Sequence, residues 1–300
     1  MISIIIPLFN KEAYITDTIN SVLCQSCNDF ELIIVNDGST DNSLEIVNRI
    51  QSDKIHIYTK ENGGPASARN YGVREANGDW IMILDADDSL EPDALKVFHH
   101  LINKEPVCNF FCCNHYIQYN GNKQLYSDKY TEGFIRNNFF SWCIGEFMPV
   151  AGSCIIKKEL LQKYPFREEL RRYEDAESLF NIMRKERIYR CSIPTMTYNR
   201  DHSSASHARK NIEEDFIGHL SLKGKGLWER YAIWQLYQQG RRLYPNTIDQ
   251  LYNKKDFEGI GFRLCYYIED RLTKHDIALR TIVKKEMRIL YKIIKNKLGL

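Results

Sequence analysis

Four short runs of strongly apolar residues, each followed by a helical pattern, fill the first third of the chain. Residues 3–6 (SIII), 31–36 (ELIIVN), 55–58 (IHIY) and 80–84 (WIMIL) are too short and too uniformly apolar to be half-exposed strands. Between them, Ile15, Ile19, Val22 and Leu23 share one helical face. Leu44, Val47 and Ile50 share another, residues 66–76 form a third pattern, and Pro92 sits at the first turn of a helix reaching His100. Alternation of this kind predicts a parallel sheet covered on both faces. Ligands of such sheets bind outside the carboxyl ends of the strands. Three polar clusters fall at those ends: residues 7–10, Asp37-Gly38-Ser39, and Asp85-Ala86-Asp87-Asp88.

After Cys108 the pattern changes. Two strands are expected around a turn at Asn120-Gly121, with another strand over 150–156, a short helix over 175–185 and extended segments around Pro194. Beyond His207 the chain reads as helical. The expected organisation is one domain over 1–206, its pattern changing between 1–100 and 101–206, with a helical extension over 207–300. The 41 Lys and Arg against 39 Asp and Glu are too evenly balanced for a dedicated nucleic-acid binder. No apolar run approaches the ~20 residues of a membrane span, and the apolar start lacks a basic leader and a cleavage site. With no export signal, the nine cysteines read as reduced thiols of a cytoplasmic protein.

Each cluster admits a structural and a chemical role. Asp85, Asp87 and Asp88 crowd three carboxylates behind one strand, which suits a divalent cation bridging to a diphosphate; a solvated loop with Asp88 or Ser89 capping the next helix is the alternative. Asp37 can accept from a base or ribose, or belong to a turn capped by Ser39, Thr40 or Asp41. Asn62-Gly63-Gly64-Pro65 is neither a Walker loop nor G-x-G-x-x-G, and Arg69 beyond it either meets a phosphate or pairs with a carboxylate. Glu174-Asp175 suits a helix start by charge alone. His202 reads as a loop residue or a metal or phosphate contact.

In order and spacing, SIIIPLFNKEAYITDTINSVL…FELIIVNDGSTDNS, ENGGPASARNYGV, ANGDWIMILDADDSLEPDAL and YEDAESL resemble glycosyltransferase family 2, over residues 1–205 and most closely over 1–100. The resemblance implies an α/β GT-A fold: a mostly parallel sheet flanked by helices, followed here by the C-terminal helical extension. It further implies that Pro7, Asn10 and Glu12 form the nucleotide-facing first loop. Asp37 is then the base-recognising aspartate, with Asn36 in place of the usual preceding acid. Arg69 and Asp85 contribute to the donor site, and Asp87 is the metal ligand, with His202 a second. Asp175 is the catalytic base, and Arg200 stands where some members contact the diphosphate.

The implied activity is an inverting, metal-dependent transfer of a sugar from a nucleotide-sugar, uridine-linked in most of the family, to an acceptor hydroxyl. The setting is surface polysaccharide or glycan biosynthesis, with Mg²⁺ or Mn²⁺ as cofactor and a glycan or lipid-linked saccharide as acceptor. A non-catalytic sugar-nucleotide-binding or scaffolding protein on the same fold is the alternative. In the last segment, Val283, Met287, Leu290, Ile294 and Leu298 form an apolar stripe beside six Lys and Arg. Such a stripe either packs on the protein or in a homodimer, or rests on the inner face of the plasma membrane.

Overall fold

In the computed structural model, residues 1–128, 130–143, 145–202, 211–223, 225–245 and 247–252 are described. The strands are β1 (Ile2–Leu8), β2 (Phe30–Asp37), β3 (Ile55–Lys60), β4 (Trp80–Ile83), β5 (Ser89–Leu90), β6 (Phe110–Tyr119), β7 (Asn122–Leu125), β8 (Gly133–Phe134), β9 (Cys154–Lys157) and β10 (Tyr189–Asn199). The helices are α1 (Ile15–Leu23), α2 (Ser43–Asn48), α3 (Pro65–Glu75), α4 (Ala94–Lys104), α5 (Asn138–Cys143), α6 (Lys158–Lys163), α7 (Glu174–Met183), α8 (Leu227–Leu243) and α9 (Ile248–Leu251). The chain divides into two compact units, Met1–His219 and Leu220–Leu300.

The first unit is built on one sheet in the order β3-β2-β1-β4-β9-β6-β10-β5, with β7 added to β6 and β8 to β10. β1, β2, β3 and β4 are mutually parallel, as the alternation requires. β9 then runs antiparallel to both β4 and β6, and β10 returns parallel to β6. β1 and β2 are buried almost throughout because helices cover both faces, so their apolar runs need no alternation. α1 and α4 are amphipathic and bury Ile15, Ile19, Val22 and Leu95, Phe98, Leu101. α3 is different: its buried residues are mostly small, and Gly72 lies so close to Ile5 of β1 that a Cβ would collide with its Cγ2.

Glu31 ties the amino end of the sheet together. Its carboxylate accepts from Ser3 Oγ at 2.5 Å, Asn77 N at 2.6 Å, Asn77 Nδ2 at 2.9 Å and Gly78 N at 3.2 Å. Burial opposes its charge, but these donors prevail and hold its pKa below the ordinary value.

In the second unit α8 carries an aromatic ladder: Tyr231 stacks on Trp234 at 5.5 Å, and Tyr237 donates to Asp249 Oδ1 at 2.5 Å. Among the described residues no helix is long and apolar enough to cross a membrane. The basic apolar stripe from Val283 to Leu298 lies outside the described residues.

Candidate active site

Because β2, β1 and β4 are parallel neighbours, their carboxyl ends bring the three polar clusters to one edge. The first loop is stitched to the loop after β2. Asn10, in the left-handed region at φ 51°, accepts from Thr40 N at 2.8 Å through Oδ1. Glu12 Oε2 accepts from Asn42 N at 2.9 Å, and Glu12 N donates to Asp41 Oδ2 at 3.1 Å. Pro7 sits in β1 opposite Val35. Asn10 and Glu12 thus brace the rim of the edge. Asn36 accepts from Ser39 N at 3.1 Å, closing the Asp37-Gly38-Ser39 turn.

Asp37 is buried at the end of β2. Oδ1 accepts from Lys60 Nζ at 2.7 Å and Gly63 N at 2.9 Å, and Oδ2 from Gly64 N at 2.7 Å. Its carboxylate therefore shapes the Asn62-Gly63-Gly64 turn. Gly64, at φ 90°, leads into α3, and the exposed Arg171 guanidinium rests where a Cβ on Gly64 would be.

The three acids after β4 have separate environments. Asp85, about a third exposed, accepts from Arg69 Nη2 at 2.9 Å. Asp87 accepts from Lys11 Nζ at 2.5 Å, with both side chains 13% exposed. Burial raises the Asp87 pKa, Lys11 pulls against it, and Asp85 adds repulsion. Asp88 does not cap the helix as one sequence alternative had it. α4 begins later, at Ala94, and Asp88 Oδ1 instead accepts from Asn199 N at 2.8 Å. Burial and then the Asp85 charge push the Asp88 carboxyl well up. Asn199 also donates through Nδ2 to Asp87 O at 2.9 Å, fastening the end of β10 to this loop.

Arg69 gathers the remaining acids. Its other nitrogen, Nη1, donates to Glu174 Oε1 in a close buried pair. Burial works against the guanidinium charge, but Glu174, Asp85 and Asp175 outweigh it and hold Arg69 protonated. Of the two roles left open for Arg69, the structure shows carboxylate pairing. Tyr173 enters α7 at φ 55°, an uncommon conformation for a large residue, and so starts the helix at Glu174-Asp175. Three acids in the first turn of α7 suit its dipole. Asp175 and Arg69 line one cleft with Ile83, Gly152, Phe166 and Leu179, and Asp175 Oδ1 accepts from Ala176 N at 2.8 Å.

His202 ends a short 3₁₀ turn, Arg200–His202, and its side chain lies outside the described residues. Among the described residues no group of three or more His, Cys, Asp and Glu is arranged to hold a metal. Lys11, Lys60 and Asn199 belong to the edge although the sequence did not single them out. Lys11 carried one signal, its place between Asn10 and Glu12.

Residues 3–165 match the glycosyl transferase family 2 profile, over half of the chain. The chain belongs to glycosyltransferase family 2. An uncharacterized glycosyltransferase of Haemophilus influenzae is 42% identical over 125 residues, covering 41% of this chain and 46% of that one. The chondroitin synthase of Pasteurella multocida is 46% identical over 99 residues, 32% of this chain and 10% of the synthase. The matched segments thus span less than half of either relative. S. aureus TarS 1–349, solved in complex with UDP-GlcNAc, has the same fold, with a TM-score of 0.65 and 21% identity, over 83% of this chain and 77% of that one.

Proposed function

We propose that this family 2 chain is an inverting glycosyltransferase that moves a sugar from a UDP-linked donor to an acceptor hydroxyl in the synthesis of a surface polysaccharide or glycan. The observation that carries this is the Arg69 bridge. One guanidinium joins Asp85, on the loop after β4, to Glu174, at the start of α7, and leaves Asp175 beside it on the same cleft. The UDP-GlcNAc held by TarS and the synthase named among the relatives support the donor class and the polymer setting.

In this mechanism Asp175 takes the proton of the acceptor hydroxyl as its oxygen attacks the anomeric carbon. The bond from that carbon to the diphosphate oxygen breaks on the opposite side, and its electron pair leaves with UDP. A single displacement inverts the anomeric centre. Lys11, held at Asp87, supplies a fixed positive charge near the departing diphosphate. Asp85 and Asp87 offer hard oxygen donors, and Asp87 already draws a cation in Lys11, so these two carboxylates would hold a Mg²⁺ or Mn²⁺ ion. When bound, that ion offsets charge on the leaving group.

The test is a donor-hydrolysis screen of nucleotide sugars with Mg²⁺ and Mn²⁺. The expected result is release of UDP from one donor, abolished by chelator. Asp175→Asn keeps the size but not the basicity of the side chain. It should retain donor binding and lose turnover of the transfer by about a hundredfold or more. Full activity in excess chelator would remove the metal from the scheme. Failure of every nucleotide sugar to bind would overturn the function.

A further inference from the structure

A second cavity, of about 340 Å³, lies on the β6–β7 hairpin and is independent of the Arg69 cleft. Its volume is within the range of small-ligand sites. The turn is Asn120-Gly121, with φ 49° and 73°, so the two strands pair in tight register, Ile117 with Gln124 and Tyr119 with Asn122. That register puts Tyr119, Asn122 and Gln124 on one face of the hairpin; Asn120, Tyr126 and Arg200 also line the cavity, with Ile117 and Leu125 as its apolar part.

The wall is preorganised. Asp201 Oδ1 accepts from Asn120 N at 3.0 Å and pins the turn. The Arg200 guanidinium lies 5.2 Å above the Tyr119 ring. Tyr126 stacks on His115 at 4.6 Å with a 17° angle between the rings. His115 is fully buried, neither ring nitrogen has a partner among the described residues, and burial lowers its pKa to about 4, so it serves as an uncharged platform. The neighbouring cation Lys123 is on the opposite face of β7 and pairs with Glu91 at 2.7 Å. Arg200 pairs with no carboxylate among the described residues, and the cavity wall contains none.

One forked cation beside three amide side chains and two phenols is a site for a polyhydroxyl ligand carrying one acidic group. The amides and phenols exchange hydrogen bonds with hydroxyls, and the guanidinium binds a carboxylate or phosphate bidentately. The cavity is also adjacent to the proposed transfer edge. Arg200 directly follows Asn199, which is bonded to Asp87 and Asp88. Building on the transferase function above, we propose that this cavity is an acceptor subsite and that the acceptor is an anionic saccharide.

The experiment measures saccharide affinity by calorimetry or saturation-transfer NMR on the full chain, with UDP affinity followed in parallel. The probes are a glucuronate-containing disaccharide, a glycerol-phosphate oligomer and neutral oligosaccharides of the same length. One acidic class should bind more tightly than its neutral counterparts, and the two acidic arms tell carboxylate from phosphate. Arg200→Gln and Tyr119→Ala should each weaken that binding about tenfold or more, the scale of one charge-assisted contact. Arg200→Lys should restore part of it, and UDP affinity should stay within about twofold in Tyr119→Ala. If Arg200→Gln weakens UDP instead and leaves the saccharide untouched, Arg200 is a donor diphosphate contact and the subsite is wrong. Equal affinity for acidic and neutral probes, or none for either while UDP binds, also overturns the subsite and leaves the transferase function standing. Loss of UDP binding in the wild type would strike that function itself.

Discussion

Arg69 is 6% exposed and holds carboxylates from Asp85 and from Glu174, which is 105 positions further along the chain. Removing one partner of a buried ion pair leaves the other charged group without compensation, which typically costs about 3–5 kcal/mol. Arg69→Ala should therefore destabilise the first unit by that order, measured by urea unfolding, while Arg69→Lys keeps the charge but loses the fork between two acids. A cost below about 1 kcal/mol for Arg69→Ala would mean that water reaches Glu174 freely. The acids of this site were legible from the sequence because they sit at strand ends and at a helix start, where local pattern alone fixes them. Their partners were not. Lys11 meets Asp87, and Lys60 meets Asp37, only because β1, β2, β3 and β4 are ordered as they are in the sheet. That Arg69 reaches Glu174 depends in the same way on where α7 starts.

The helix α3 shows at the scale of an element how packing overrides propensity. Gly72 is in its interior, where alanine is favoured by roughly 1 kcal/mol. A Cβ there would nonetheless enter the space of the fully buried Ile5 in β1. Overpacking a filled core costs about 1–3 kcal/mol, so Gly72→Ala should lower the unfolding midpoint, and a rise would show that β1 and α3 are not in tight contact. Glu31 provides a pH-dependent counterpart at the other end of the sheet. Its folded pKa is lowered, so its stabilisation is complete above the ordinary carboxylate value and is lost as pH falls through the lower folded value. In urea unfolding, wild type should exceed Glu31→Gln in stability near neutrality by about 1–3 kcal/mol, and the gap should close in acid. The parallel strands β1, β2 and β4 were readable because buried strands in α/β alternation leave a continuous apolar signature. The antiparallel insertion of β9 between β4 and β6 was not, since CIIK says nothing about which neighbours it takes. The Asn120-Gly121 hairpin was readable because only such residues adopt two successive positive φ angles at low cost. The interruption in β10 pairing around Pro194 follows from the missing amide.

At the scale of the whole molecule, the transferase proposed above would meet a lipid-linked saccharide, one of the acceptor classes the family resemblance implies, at a membrane surface, and no helix among the described residues is long and apolar enough to cross one. The sequence offers one means of attachment. Between Lys284 and Lys297 the charges are Lys284, Lys285, Arg288, Lys292, Lys295 and Lys297 against Glu286 alone, beside the apolar stripe from Val283 to Leu298. Each basic residue near an anionic leaflet is worth about 1 kcal/mol, and the attraction is screened by salt over roughly 8–10 Å. Six such charges minus one acid suffice for reversible attachment even where the apolar stripe contributes little. The full chain is therefore expected to co-sediment with phosphatidylserine-containing vesicles at low ionic strength and to release as salt is raised. A chain ending at Arg280 should remain in the supernatant under both conditions. Equal sedimentation of the two forms, or none by either, would exclude the attachment. If the shorter chain instead loses solubility or changes its sedimentation coefficient in the absence of vesicles, the stripe packs against protein, either on the catalytic unit or between two copies. The two outcomes separate cleanly because salt weakens attraction to a leaflet but strengthens apolar packing.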